Sequence, residues 1–152
     1  MISPIINRDT VLISVHQKYA EKIINGEKTI ELRKSLPQKV KPGDNLIIYV
    51  TSPVKKLYAI CTIKQFIKST PDRLKADELS NTGITSKEFD QYYKSSSKAY
   101  AIVLENIIDI KHKNIELKTL KTLVPKFLPP QTYYYFNDSV VGFINLKKIL
   151  FH

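Results

Sequence analysis

The residues of this sequence best suited to chemistry lie together in the segment Gly26-Glu27-Lys28-Thr29-Ile30-Glu31-Leu32-Arg33, a G-x-K-x-x-E-x-R pattern. Glu31 and Arg33 are two residues apart, so on a strand they share one face at roughly 7 Å and can interact electrostatically. An arginine oriented in this way presents donors that suit a phosphate group or the edge of a base. The segment therefore predicts an arginine that Glu31 holds in position to meet a phosphate group or the edge of a base.

Lys28 joins this pair only under one condition. Strict alternation places it on the opposite face of the strand, so it must lie in the bend after Gly26, before regular strand geometry begins. Gly26 is expected to have a structural part, as the left-handed cap that ends the preceding helix. The simpler alternative is a surface salt bridge of Glu31 with Arg33 or Lys28, which would contribute little to stability.

A second unusual segment, Pro129-Pro130-Gln131-Thr132, precedes four consecutive aromatic residues. Rigid prolines would hold the Gln131 amide and the Thr132 hydroxyl in fixed positions, where both groups can recognise a ligand. Alternatively, the prolines only tie a closing loop to the rest of the fold. Ligand contact is the favoured interpretation.

Hydrophobic periodicity and turn signals predict the elements that must position these residues. Strands are expected over residues 11–15, 29–33, 45–50, 56–66 and 100–110. Helices are expected over residues 17–25 and 70–79. A capping box at Thr85 and Glu88 predicts the start of a further helix, and residues 119–123 are expected to form one helical turn. The pattern over residues 140–151 is ambiguous.

This order of elements predicts an α+β fold, a small mixed β-barrel with flanking helices. The length of 152 residues fits one domain spanning residues 1–152, with a core over about residues 11–135 and short extensions at each end.

The charge balance points to a polyanionic partner. There are 24 Lys and Arg residues against 14 Asp and Glu residues, a net charge of +10. Positive charge is concentrated over residues 33–68 and ahead of the aromatic segment, which is typical of proteins that bind single-stranded nucleic acid. The alternative is a solvated lysine-rich surface over buried tyrosines. The helices over residues 72–90 are mildly acidic and offer a surface for a protein partner.

Several site classes find no support in the sequence. Cys61 is the only cysteine and falls at a core position of its strand, which excludes an intramolecular disulfide and suits a reducing cytoplasm. No spacing typical of a metal site occurs, no cofactor is expected, and no segment has the length and hydrophobicity of a membrane span. We therefore predict a cytoplasmic protein without a metal or a membrane partner.

The G-x-K-x-x-E-x-R segment, together with Ile48-Tyr49, Ser52-Pro53 and Pro129-Pro130-Gln131-Thr132, resembles the ASCH domain, a branch of the PUA-like superfamily. The resemblance covers about residues 11–135. It implies a β-barrel with a cleft that accepts RNA or a nucleotide-like ligand, with these ligand-binding residues: Lys28, Glu31, Arg33, Ser52, Gln131 and Thr132.

Two functions are compatible with this resemblance. The first is a binding module for RNA or nucleotides, with or without a regulatory role. The second is a small hydrolase, either a ribonuclease or an amidohydrolase acting on acylated cytidine, in which Lys28 is the base and Glu31 a second catalytic residue. The resemblance places the nucleophilic threonine of such amidohydrolases at the position of Glu31, so Thr29, Ser52 or Thr132 would have to replace it.

Overall fold

The strands form a six-stranded mixed sheet in the computed structural model, which describes residues 9–151. The strands are β1 (Thr10–Val15), β2 (Ile30–Arg33), β3 (Asn45–Val50), β4 (Lys56–Ser69), β5 (Ala99–Asp109) and β6 (Tyr134–Phe136). The helices are α1 (Gln17–Ile24), α2 (Pro71–Glu78), α3 (Ser86–Tyr92), α4 (Leu117–Leu123) and α5 (Phe143–Leu150). The strand order is β2-β5-β4-β3-β1-β6, in which β1 and β3 are parallel and the other neighbours are antiparallel.

The central strands β1 and β3 are buried on both faces, which explains their nearly continuous apolar sequences. On one face, Val11 and Ile48 belong to a cluster that includes the buried side of α1. On the other face, Leu12 and Ile47 pack in a cluster with residues of α4 and α5. A third cluster joins β2 to α2 and α3.

The prediction of a closed barrel is wrong, whereas the mixed sheet with flanking helices is confirmed. The strands β2 and β6 form the two edges of the sheet, and no ladder joins them within residues 9–151. Closure needs a continuous ladder between the first and last strands. Here β2 has four residues and β6 three, and side chains span the gap instead: the Tyr133 hydroxyl donates to the Ser35 carbonyl at 2.6 Å.

The chain between α1 and β2 has the conformation that the sequence predicted. Gly26 has a φ of +87°, the left-handed geometry expected of a residue that ends a helix. Because β2 begins at Ile30, Lys28 lies in the bend, and its backbone N–H donates to the Lys22 carbonyl at 3.0 Å. The condition for Lys28 to share a face with Glu31 is therefore met.

The ends of the helices and strands otherwise agree closely with the pattern. The capping box of α3 is present, since the Glu88 N–H donates to Thr85 Oγ1 at 3.1 Å and the Thr85 N–H donates to Glu88 Oε1 at 2.9 Å. Strand β6 was not predicted, and the ambiguous segment contains α5, whose buried side chains face the second cluster. Within residues 9–151, no helix is long and apolar enough to cross a membrane.

Candidate functional site

A cleft of about 320 Å³ lies where β1 passes into α1, next to β2 and α3. The residues that line it are Ser14, Val15, His16, Tyr19, Lys28, Glu31, Leu32, Arg33, Ile84, Glu88, Tyr92 and Gln131. Its volume is in the range of small-molecule sites. Four predicted site residues are among those that line it: Lys28, Glu31, Arg33 and Gln131.

Glu31 lies between two cations at the floor of the cleft. Its Oε1 is 3.5 Å from Lys28 Nζ, and its Oε2 accepts a hydrogen bond from Arg33 Nη2 at 3.1 Å. The side chains are 3% (Lys28), 11% (Glu31) and 13% (Arg33) exposed. The arrangement is therefore a largely buried triad, and the alternative of a surface salt bridge is wrong.

Lys28 is held by the loop that precedes α3. Its Nζ donates to the Thr82 carbonyl at 2.7 Å, and a Cβ added to Gly83 would lie 2.9 Å from the Lys28 Cβ. Burial lowers the pKa of the Lys28 ammonium, and the nearby Glu31 carboxylate opposes that shift without cancelling it. The amine is thereby favoured in its neutral, basic form relative to an exposed lysine.

Arg33 connects the floor of the cleft with β1. Its Nη2 also donates to the Ser14 carbonyl at 3.4 Å, and its guanidinium lies 5.5 Å from the centroid of the Tyr133 ring. Its Nε is buried and has no hydrogen-bond partner within the described part of the chain. Buried donors of this kind are rare, and they suit a ligand or a water molecule that supplies the missing acceptor.

Tyr19 and Glu88 both line the cleft and are joined by a hydrogen bond. The Tyr19 hydroxyl donates to Glu88 Oε2 at 3.2 Å, and Lys18 Nζ donates to the same oxygen at 3.3 Å. Hydrogen bonds from the Thr85 backbone and side chain, followed by Lys18, lower the pKa of the Glu88 carboxyl to about 2. Glu88 therefore carries its charge at neutral pH and links α3 to α1.

Tyr92 forms an aromatic wall of the same cleft. It is partly exposed, its hydroxyl donates to the Leu32 carbonyl at 3.4 Å, and Lys34 Nζ lies 4.9 Å from its ring centroid. Burial of part of the ring raises the pKa of its hydroxyl. Neither Tyr92 nor Tyr19 was predicted as a site residue from the sequence, although Glu88 and Tyr92 are four residues apart and share one face of α3.

The proline loop contributes one of its two expected side chains. Ser14 Oγ donates to the Pro130 carbonyl at 2.8 Å, which ties the loop to β1, and Gln131 lines the cleft. Thr132 is exposed and does not line it. Ser52 is exposed in the turn after β3 and does not line the cleft either. The structure thus gathers four of the six predicted ligand-binding residues and leaves Ser52 and Thr132 outside.

Metal-ligating side chains are not gathered in this region. Across residues 9–151, no three or more His, Cys, Asp or Glu side chains lie close enough together to hold a metal ion. Cys61 is fully buried in the first cluster, and burial raises the pKa of its thiol. Its predicted place in the core is confirmed.

Comparison with known proteins identifies the family. The model of the ASCH domain matches residues 13–113. An "ASCH domain-containing ribonuclease" of Zymomonas mobilis subsp. mobilis is 25% identical over 126 residues, which cover 83% of each chain.

Two crystal structures from Zymomonas mobilis show the same fold. The structure of its ASCH protein covers 93% of this chain and 94% of its own, with a TM-score of 0.79 and 22% identity. A serine-to-alanine mutant covers 96% of this chain and 99% of its own, with a TM-score of 0.81 and 22% identity. With about two thirds of its length matched by the family model, the chain belongs to the ASCH domain family.

Proposed function

We propose that the chain binds RNA, with one nucleotide in the cleft of Lys28, Glu31, Arg33 and Gln131. The observation that carries this proposal is the convergence of these four side chains, from two segments about 100 residues apart, on one cleft. Arg33 offers a buried, unpaired Nε–H donor, and Tyr92 offers a ring on which a base can stack. The name of the Zymomonas relative, a ribonuclease, supports RNA as the ligand.

The test is an RNA-binding titration that compares two arginine variants. Arg33→Ala should weaken binding of an eight-nucleotide 2′-O-methyl RNA at least about tenfold, because a charged donor is lost inside the cleft. Arg73→Ala is the matched control, since Arg73 is exposed on α2 and its loss removes the same charge. Binding should also weaken as salt rises.

The RNA-binding proposal has a clear contrary outcome. Absence of binding at low salt would contradict it, as would equal affinities for Arg33→Ala and Arg73→Ala. Circular dichroism should accompany each titration, so that a variant that has lost its fold is not counted. Arg33→Lys keeps the charge without the planar fork and should fall between the wild type and Arg33→Ala.

A second candidate, RNA cleavage, is favoured by the lowered pKa of Lys28 within the cleft. In its neutral form the Lys28 amine can take the proton of a ribose 2′-hydroxyl. The 2′-oxygen then bonds to the adjacent phosphorus while the bond from phosphorus to the 5′-oxygen breaks, and solvent protonates the leaving oxygen. Arg33 would balance the charge on the phosphate, and Glu31 would hold both cations in position.

Cleavage has its own experiment. The chain should convert an unmodified RNA into fragments that end in a 2′,3′-cyclic phosphate. The Lys28→Met variant should lose this activity, whereas the control variant Arg73→Ala should keep it. Equal cleavage by Lys28→Met would exclude Lys28 as the base. Deacylation of acylated cytidine has less support, because neither Thr29, Ser52 nor Thr132 lines the cleft to act as the nucleophile.

A further inference from the structure

Outside the cleft, two tyrosines form a partly exposed aromatic surface at the edge of the sheet. Tyr133 and Tyr135 alternate with Tyr134, which packs into the second cluster on the opposite side. Their ring centroids are 6.3 Å apart, with 34° between the ring planes. We call these two rings, together with Arg33 and Lys39, the aromatic seam.

Hydrogen bonds from the segment after β2 fix both rings of the seam. The Tyr133 hydroxyl donates to the Ser35 carbonyl at 2.6 Å, and the Tyr135 hydroxyl accepts from the Gln38 N–H at 2.8 Å. Neither contact adds to a strand ladder, since both cross the open gap between β2 and β6. The rings are therefore ordered before any ligand arrives, which lowers the entropic cost of stacking on them.

Each ring of the seam is paired with a cation. The Arg33 guanidinium lies 5.5 Å from the Tyr133 centroid, and Lys39 Nζ lies 5.5 Å from the Tyr135 centroid. Lys39 is exposed on a flexible four-carbon stem, so it can leave the ring for a phosphate and free that face for a base. Alternating cations and aromatic rings are the features with which proteins hold single-stranded nucleic acid.

The seam is continuous with the cleft at one end. Arg33 both lines the cleft and contacts Tyr133, and Tyr133 leads to Tyr135. Next to Tyr135 lies a hollow of about 230 Å³, whose lining includes Asp9, Lys39 and Asn137. Arg33 thus offers a strand with one nucleotide in the cleft a path onto the seam.

We infer that the aromatic seam binds the nucleotides that flank the one in the cleft, so that the ligand is a single strand of several nucleotides. This inference rests on the proposed RNA binding and adds the path and the length of the strand. A free mononucleotide would occupy the cleft without using Tyr135 or Lys39. Affinity should therefore depend on length through these two residues.

The test measures the affinity of fluorescent 2′-O-methyl RNAs of two, four and eight nucleotides by anisotropy. Tyr135→Leu should weaken binding of the eight-nucleotide RNA about five- to fifty-fold and leave the two-nucleotide RNA within twofold. Tyr135→Phe keeps the ring and should retain most of the affinity. Lys39→Ala should lower the salt dependence for the long RNA by about one phosphate contact.

Lys121→Ala is the matched control, because Lys121 is exposed on α4, which packs in the second cluster. RNA of every length binding, with weaker binding in Arg33→Ala, would support the cleft. If Tyr135→Leu and Lys39→Ala then changed the affinity for short and long RNA equally, the seam would be overturned and cleft binding would stand. If no length binds, both proposals fail. If polyglutamate displaced the bound RNA as well as RNA itself does, the seam would be overturned as a nucleic-acid surface, because the attraction would then depend on charge alone.

Discussion

Neutralising Glu31 should destabilise the folded chain more than any exposed carboxylate does. In Glu31→Gln, Lys28 and Arg33 lose the charge that lies 3.5 Å from one and 3.1 Å from the other, in a site where the Glu31 side chain is 11% exposed. Removing one partner from a buried ion pair costs about 3–5 kcal/mol. Glutamine keeps one acceptor oxygen, so we expect a loss of about 3 kcal/mol in the free energy of unfolding.

Urea denaturation followed by circular dichroism measures this loss directly, and the melting temperature should fall by about 6–12 °C. The control is Glu27→Gln, four residues earlier, where the side chain is exposed and accepts from Asn25 Nδ2 at 2.9 Å. That variant should change the free energy of unfolding by less than about 0.5 kcal/mol.

A double variant separates the charge effect from other effects of the substitution. Adding Lys28→Met to Glu31→Gln removes one unpaired cation, so the combined loss should be smaller than the sum of the two single losses. If Glu31→Gln were as mild as Glu27→Gln, or if the losses simply added, the triad would not be an electrostatic unit.

Three further predictions concern pH and backbone geometry. Burial lowers the pKa of Lys28 in the folded chain, so the unfolded chain binds this proton more tightly. The free energy of unfolding of the wild type, measured in urea relative to Lys28→Met, should therefore rise with pH up to the ordinary lysine pKa of 10.5. The Glu88 carboxyl has a pKa of about 2 in the folded chain, below its ordinary value of 4.5. The wild type should therefore have a higher free energy of unfolding than Glu88→Gln, with the full difference above about pH 4.5 and none as the pH falls to 2. Gly142 has a φ of +89°, and a Cβ added there would lie 1.7 Å from the Leu123 carbonyl oxygen. Gly43 has a similar φ of +97°, but a Cβ added there would have no atom within 4 Å, so Gly142→Ala should lower the melting temperature far more than Gly43→Ala. Equal losses would show that contact with α4 does not limit this position.

The sequence was informative wherever structure depends on near neighbours. The left-handed cap at Gly26, the capping box of Thr85 and Glu88, and the alternation of Glu31 and Arg33 each involve residues two to four positions apart. Such signals survive in the sequence because the interacting groups are separated by only a few bonds of known geometry. They were enough to predict that Glu31 and Arg33 lie on one face of β2, where the two side chains form an ion pair.

One error came from a local irregularity that alternation cannot reveal. Strict period-two alternation over residues 56–66 predicts that Leu57 lies on the same side as Cys61 and that Tyr58 lies on the opposite side. In the structure Ile48 pairs with Ala59 and the next pair is Tyr49 with Leu57, so Tyr58 is an extra residue in β4. Tyr58 consequently lies in the first cluster with Cys61, and Leu57 lies in the second. A bulge reverses the faces on either side of it.

The sequence by itself determined the charge, the chemistry of the motif and the left-handed turn at Gly26, and it left open whether Lys28 meets Glu31. Only the tertiary structure decided that the sheet stays open, that Tyr19, Glu88 and Tyr92 complete the cleft, and that Ser52 and Thr132 lie outside it. The physical reason is distance along the chain: α1 and α3 pack their apolar faces on one sheet, and a hydrogen bond from Ser14 ties the proline loop to β1. Many alternative packings satisfy the same local patterns, so contacts between remote segments follow from the fold as a whole.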